Sequence, residues 1–445
     1  MYSLLIEPMT QALSSPTIEQ TVTQFPRAIL SVSREELDNI PLIVKAGLSE
    51  QTVELPLDLE GYVFILGPAG TLDSPTDPLR PSVVLPAQDG FTPLYNGDGM
   101  VYRLAFGQGQ AHLKTKIAAS IDGIADRITH PDPTYADLKF HNYGITRGSL
   151  NLGVCTQLSV TLTPFRFQDN APYRLLLTVD MGRPFELDPQ TLDILRPIGL
   201  NRDWKSVNSL FPQLAFPLVM SSAHPSFDFV QKELFTVNLG KSISHFLPSV
   251  RQVFNHVPFL HTLIQKSQTR WKPSQGRLLD PWIHQIQQWL GAFITAFIGL
   301  GHRSGLWDRL VQFLQWVFKG LTHNDFVDLM RWSESGQLDR WQVVLENGQP
   351  LTIQQTLHQM WATKNHIVLL DTAFKISLEE LLPYERGALT EATEKLFRDL
   401  TDVAQLADTP VYIIRRADLQ PGQSQVKAKQ VTINPPRHCP LCRGL

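Results

Sequence analysis

FTPLYNGDGMVYRLAF (91–106) changes character in its middle. Asn96-Gly97-Asp98-Gly99 concentrates turn-forming residues, and MVYRLAF behind it is apolar and aromatic. The stretch reads as a hairpin or bulge, with glycines supplying positive φ, that feeds a strand. Similar short runs surround it: GYVFILG (61–67), PSVVLPA (81–87) and PYRLLLTVD (172–180). The longest is LNLGVCTQLSVTLTPF (150–165). Gly, Pro, Asn and Asp punctuate these runs. Many short strands at this spacing indicate a mainly β chain: a sandwich, barrel or propeller. Strand-like text resumes at RWQVVLENGQPLTI (340–353), HIVLLDTAF (366–374), PVYIIRRADL (410–419) and VKAKQVTI (426–433). A helix is expected from about Glu391 to Leu406, on Ala392, Leu396, Leu400 and Val403. No self-similar period is visible.

Composition narrows the function classes. The 445 residues are 43% hydrophobic and only 18% charged, which fits a large core and argues against disorder. The net charge of -3 and the absence of Lys/Arg runs argue against a nucleic-acid partner. Three cysteines, Cys155, Cys439 and Cys442, are too few for a disulfide framework. The N-terminus carries no basic residue before Arg27 and lacks a signal-peptide pattern. A cytoplasmic, reducing location is therefore expected. Residues 1–50 read as an irregular start and 51–433 as one β domain.

Residues 240–330 interrupt the strands. WIHQIQQWLGAFITAFIGLG (282–301) puts Trp282, Ile286, Trp289, Leu290, Phe293 and Phe297 on one helical face. LWDRLVQFLQWVFKGL (306–321) is a second amphipathic helix. Two readings follow: a cap that packs on the β core, or an aromatic surface that lies in a lipid interface.

Three segments together resemble the carotenoid cleavage dioxygenases, which include the lignostilbene dioxygenases and the retinal-pigment-epithelium isomerase. The first is Asn96-Gly97-Asp98-Gly99-Met100-Val101, after Gly67-Pro68, read as a turn. The second is MSSAHPSFDFVQKELFTV (220–237), which places His224 where that family has an iron ligand. The third is QTLHQMWATKNHIVLLDTAF (355–374), which places His358 at a second ligand position. The resemblance implies a seven-bladed β-propeller with Fe(2+) on its axis, held by four histidines. It also implies cleavage by O2 of a conjugated double bond in a carotenoid or apocarotenoid substrate, giving aldehyde or ketone products. Peripheral membrane contact is a habit of the family. Asp180, in TVDMGRPFELDP (178–189), falls where the family has a glutamate that orients a ligand histidine. Asp98 and its glycines read as structural, and Glu186 as a surface residue.

The chain departs from the family beyond His358. His438 is the only histidine after His366, and its NPPRHCPLCRGL surroundings do not match a third ligand. No residue stands for a fourth. The expectation is a C-terminal truncation with 434–445 as an atypical tail. The alternative function is a catalytically inactive family member that lacks two of the four ligands. A third is a membrane-associated interaction protein built on the insertion. Cys439-x-x-Cys442 is read as accidental, Cys155 as an apolar strand residue and His366 as a packed or partly exposed one.

Overall fold

The computed structural model describes residues 5–8, 32–33, 38, 40–45, 55–69, 83–84, 94–129, 132–149, 151–207, 214–241, 325–333, 338–372, 374, 376 and 406–433. In chain order the strands are β1 (Leu5–Pro8), β2 (Val32–Ser33), β3 (Ile40–Lys45), β4 (Gly61–Pro68), β5 (Val83–Val84), β6 (Gly99–Gly107) and β7 (Gln110–Ile117). The helix α1 (Ile121–Thr129) follows, then β8 (His141–Tyr143), β9 (Thr146–Ser149) and β10 (Gly153–Cys155). Next come β11 (Thr161–Phe165), β12 (Arg174–Thr178), β13 (Phe185–Leu187) and β14 (Ile194–Pro197). The last nine are β15 (Met220–Ser221), β16 (Ser226–Asp228), β17 (Glu233–Gly240), β18 (Phe326–Trp332), β19 (Leu338–Leu345), β20 (Thr356–Ala362), β21 (His366–Thr372), β22 (Thr409–Arg415) and β23 (Gln425–Ile433). The chain is mainly β, as its short apolar runs predict. The segment 1–50, read as irregular, contributes β1 and β3 to a five-stranded sheet of order β1-β3-β7-β6-β4.

The strand β12 shows why its sequence, RLLLT, has no polar alternation. Its sheet is a four-stranded antiparallel meander, β11-β12-β13-β14, the form of a propeller blade. Leu175 and Leu177 point to one core with Val101, Phe185 and Leu187, against the five-stranded sheet. Leu176 points the other way, into a core with Phe165, Phe227, Leu234 and Trp332. A strand covered on both faces must be apolar at every position.

Strands β8, β9 and β10 form a three-stranded sheet and β2 pairs with β5, while β15 to β23 form one sheet of order β15-β17-β18-β19-β23-β22-β21-β20, with β16 also on β17. It consists of two meanders joined in parallel where Gln342–Leu345 of β19 pairs with Gln425–Ala428 of β23. At the far ends His224 bridges Gln359, also in parallel. The sheet thus curls back on itself. Its enclosed core takes alternate residues from successive strands: Val237 and Leu239, Val327 and Leu329, Trp341 and Val343, Ile367 and Leu369, Tyr412 and Ile414. The two meanders meet edge to edge at the β19–β23 junction, a connection that separate propeller blades do not have.

The GDGM stretch is buried, and its glycines act differently from the expectation. Neither Gly97 nor Gly99 has positive φ. Gly99 donates its N–H to the Gln157 carbonyl at 2.7 Å. A Cβ on Gly99 would sit 2.1 Å from the Leu158 carbonyl oxygen, so only glycine permits this approach. Gly67-Pro68 is the end of β4, paired with Met100 and Gly99, rather than a turn. Asp98 is structural as expected. Arg147, fully buried, pairs with Asp98 and with Asp126 of α1 (2.8 Å) and donates to the Asn96 carbonyl (2.8 Å). Glu186 is not a surface residue: it is buried and held by Arg174 and Arg196. Cys155 is buried in β10, which pushes its thiol well above the ordinary range. His366 is partly exposed at the start of β21.

Of the expected helical insertion 240–330, residues 242–324 lie outside the described residues. The strands that flank it, β17 and β18, pair directly, with Gly240 opposite Phe326. The insertion is therefore a long excursion between two hairpin strands. The expected helix near 391–406 and the tail 434–445, with His438, Cys439 and Cys442, also lie outside the described residues, apart from Leu406 itself. Among the described residues no helix is long and apolar enough to cross a membrane.

Candidate metal-ligand site

The seam where the last sheet closes brings His224 and His358 together. His224 lies between β15 and β16, and His358 lies in β20. The backbone N–H of His224 donates to the His358 carbonyl at 3.0 Å. The Ser222 hydroxyl donates to that same carbonyl at 3.0 Å. Opposite His358 the β20–β21 register slips: Thr356 faces Thr372, but Gln359 faces Leu370. The extra residue makes a β-bulge, a device that re-aims a side chain. It turns His358 out of the strict inward-outward alternation of its strand.

The two imidazoles converge by their Nε2 atoms, 3.2 Å apart. Their ring planes are inclined at 72°. Two nitrogens bound to one divalent ion at about 2.1 Å, with a right angle between them, are about 3.0 Å apart. The spacing fits a shared metal. The Nδ1 atoms face away from this point. Nδ1 of His358 lies 2.9 and 3.0 Å from the two oxygens of Asp180. A carboxylate there accepts a hydrogen bond from Nδ1–H, which leaves the Nε2 lone pair free. Nδ1 of His224 lies 2.9 Å from the Thr161 hydroxyl. Burial pushes His224 down to about 4; His358 adds to this and Asp180 opposes it. His224 is thus neutral at pH 7, the form that ligates metals.

The β11–β12 pair positions these groups. Thr161 and Thr178 are register partners. Thr161 reaches the His224 ring, while the Thr178 hydroxyl donates to the Ala223 carbonyl. Asp180 follows two residues after Thr178, and its own carbonyl accepts from Ser221 N–H at 2.9 Å. His224, His358 and Asp180, all named from the sequence, are therefore gathered at one point. Thr161, Thr178 and Ser222 carry no sequence signal: a threonine in a strand or a serine in a loop is commonplace, and only the tertiary contact gives it a task. Phe374 is a further neighbour, its ring centroid 5.3 Å from that of His358. Among the described residues no group of three or more His, Cys, Asp and Glu is disposed to hold a metal. The described part of the chain offers two nitrogen ligands with a carboxylate and a hydroxyl behind them.

Residues 45–262 match the model of the family described as retinal pigment epithelial membrane protein. The match includes Asp98, Thr161, Asp180 and His224, while His358 lies beyond it. Among solved structures, the Pseudomonas brassicacearum lignostilbene dioxygenase is similar at 12% identity with a TM-score of 0.44, covering 90% of this chain and 54% of that one. An apocarotenoid oxygenase variant from Synechocystis is similar at 13% identity with a TM-score of 0.43, covering 90% and 56%. The chain spans about half the length of these proteins. Comparison with curated protein sequences gives no significant match.

Proposed function

We propose, for a chain that belongs through residues 45–262 to the carotenoid cleavage dioxygenase family of the retinal pigment epithelial membrane protein, a non-haem iron dioxygenase function. The substrate is a carotenoid or apocarotenoid, cut at one conjugated double bond with O2 to give aldehyde or ketone products. The observation that carries this reading is the convergence of His224 Nε2 and His358 Nε2 at 3.2 Å, with Asp180 on the far nitrogen of His358. Those two nitrogens would hold Fe(2+), and imidazole is a suitable donor for it. Bound iron supplies activation of O2 toward the alkene, whose two carbons each end as a carbonyl.

The chain's own residues prepare this chemistry. Asp180 accepts a hydrogen bond from Nδ1–H of His358 and fixes its tautomer and direction. Thr161 orients the His224 ring, and burial keeps that ring neutral and ready to ligate. The backbone bond from His224 to His358 locks their separation, so the pair is formed before any metal arrives. Peripheral membrane contact through 282–321, on a cytoplasmic protein, is part of the same proposal: an apolar polyene partitions into lipid, and the aromatic insertion would meet it there.

The test is iron per chain after anaerobic loading with Fe(II) and desalting, beside a His224→Ala, His358→Ala double variant. The expected result is iron near one per chain that disappears in the variant, with O2 uptake on an apocarotenoid panel. No iron above the variant would remove the dioxygenase reading and leave the non-catalytic one.

A further inference from the structure

We infer that Phe374 is a specificity-determining residue: its ring is the surface on which a flat conjugated substrate lies beside the histidine pair. This inference rests on the substrate class proposed above and gives it a contact.

Phe374 follows β21, across the sheet from the bulge that carries His358. The two ring centroids are 5.3 Å apart and the planes are tilted by 56°. One side of the phenyl ring is thus taken up by the imidazole. The rest is open: Phe374 is 44% exposed, while the His358 side chain is only 15% exposed and that of Asp180 only 9%. Among the described residues it is the only aromatic ring in contact with either histidine besides the histidines themselves. A ring used only to wedge His358 would gain most by full burial, since each buried methylene-sized area adds to stability. A half-open ring at the edge of a two-histidine site retains an apolar face that water solvates poorly. A conjugated chain or a stilbene presents the matching flat π-surface, and offset or edge contacts of this kind add about 0.5–1.5 kcal/mol beyond area burial. Such a contact would hold the double bond alongside the Nε2 atoms without adding a polar group that could compete for the metal.

The test uses the full chain without added metal, so that binding is read apart from turnover. An all-trans apocarotenal and trans-stilbene are titrated by quenching of tryptophan fluorescence. The chains compared are the parent, Phe374→Leu and Phe374→Tyr, with a thermal melt of each to confirm the fold. Leucine keeps apolar bulk but removes the π-face; tyrosine keeps the face. The expected result is binding by the parent, a Kd raised roughly three- to tenfold in Phe374→Leu, and a Kd within about twofold of the parent in Phe374→Tyr. Parent-like binding by Phe374→Leu, with the parent itself binding, overturns the inference and leaves the proposed substrate class standing. Equal weakening in the leucine and tyrosine variants also overturns it, because the ring would then be filling space. Failure of the parent to bind either probe overturns the substrate class and the inference with it.

Discussion

Asp180 holds Nδ1 of His358 between its two carboxylate oxygens, at 2.9 and 3.0 Å, across 178 residues of sequence. This contact decides which nitrogen of His358 can ligate. An aspartate makes it here from two residues beyond the end of β12. The short side chain is matched by the close packing of the β12 end on the β15–β16 segment, tied by Ser221 N–H to the Asp180 carbonyl.

Replacing Asp180 by Ala leaves His358 free to rotate and to adopt either tautomer. Fe(II) affinity is expected to fall roughly 10- to 100-fold, with little change in the melting temperature. Competition against a chromogenic chelator measures the affinity; an unchanged value would remove Asp180 from the site.

Arg147 neutralises two buried carboxylates, Asp98 and Asp126. Arg147→Met removes the cation that the two share. The expected cost is about 3–5 kcal/mol, read from the urea midpoint at constant m-value. A triple change that also makes Asp98→Asn and Asp126→Asn should recover a large part of it.

Two glycines of β6 make a matched pair. Gly99→Ala drives a methyl group into the Leu158 carbonyl, whereas at Gly107 a Cβ meets nothing within 4 Å. Gly99→Ala is expected to destabilise by about 1–3 kcal/mol and Gly107→Ala to stay within about 0.5 kcal/mol of the parent. Parallel thermal melts test the difference, and equal effects would mean that the close approach at Gly99 is not a constraint.

Glu186 supplies an acid-sensitive part of the stability. Burial alone pushes its carboxyl up, but hydrogen bonds and charge from Arg174 and Arg196 outweigh this and hold it below the ordinary value. A carboxylate depressed in the folded state adds stability above its unfolded pKa of about 4.3, and that stability is lost as pH falls through the folded value. Glu186→Gln should therefore be less stable than the parent at pH 7, and the gap should narrow as pH falls below about 4.3. Urea midpoints at a series of pH values measure this; a gap that widens on acidification would contradict it.

The β17–β18 pairing implies that the insertion can be cut. With Gly240 opposite Phe326, a short Asn-Gly turn in place of 242–324 closes the hairpin. The shortened chain is expected to keep its β circular dichroism. Liposome co-sedimentation, expected for the full chain, should be lost; retention would move the lipid contact elsewhere.

Much of this molecule is legible locally. Strands such as β12, β19, β21 and β22 follow from apolar runs between turn residues, because burial and β-propensity act over a few neighbours. The histidine stretches could be picked out because their neighbouring residues match a family pattern. Glu186 misled because a charged residue in a strand usually faces water. Here two arginines, one twelve residues before it and one ten after, converge on it. The motif glycines misled for a similar reason. Positive φ is a property of one residue, but the actual demand on Gly99 comes from the Leu158 carbonyl of another segment.

Sequence alone determined that this chain is mainly β and that His224, His358 and Asp180 are the groups to examine. The first follows from residue type and spacing, which short-range physics carries; the second is what the resemblance of the surrounding residues to a family pattern implies. Only the tertiary structure decided that the last two meanders join at β19–β23 and curl until His224 meets Gln359. The same is true of the bulge that aims His358, of Thr161 as the partner of His224, and of Phe374 as its neighbour's open wall. The sheet closure and the Thr161–His224 contact need segments more than fifty residues apart to meet, and the bulge and Phe374 depend on how β20 and β21 pair within that closed sheet. That outcome is set by the summed burial of the whole core, and no single stretch of sequence contains it.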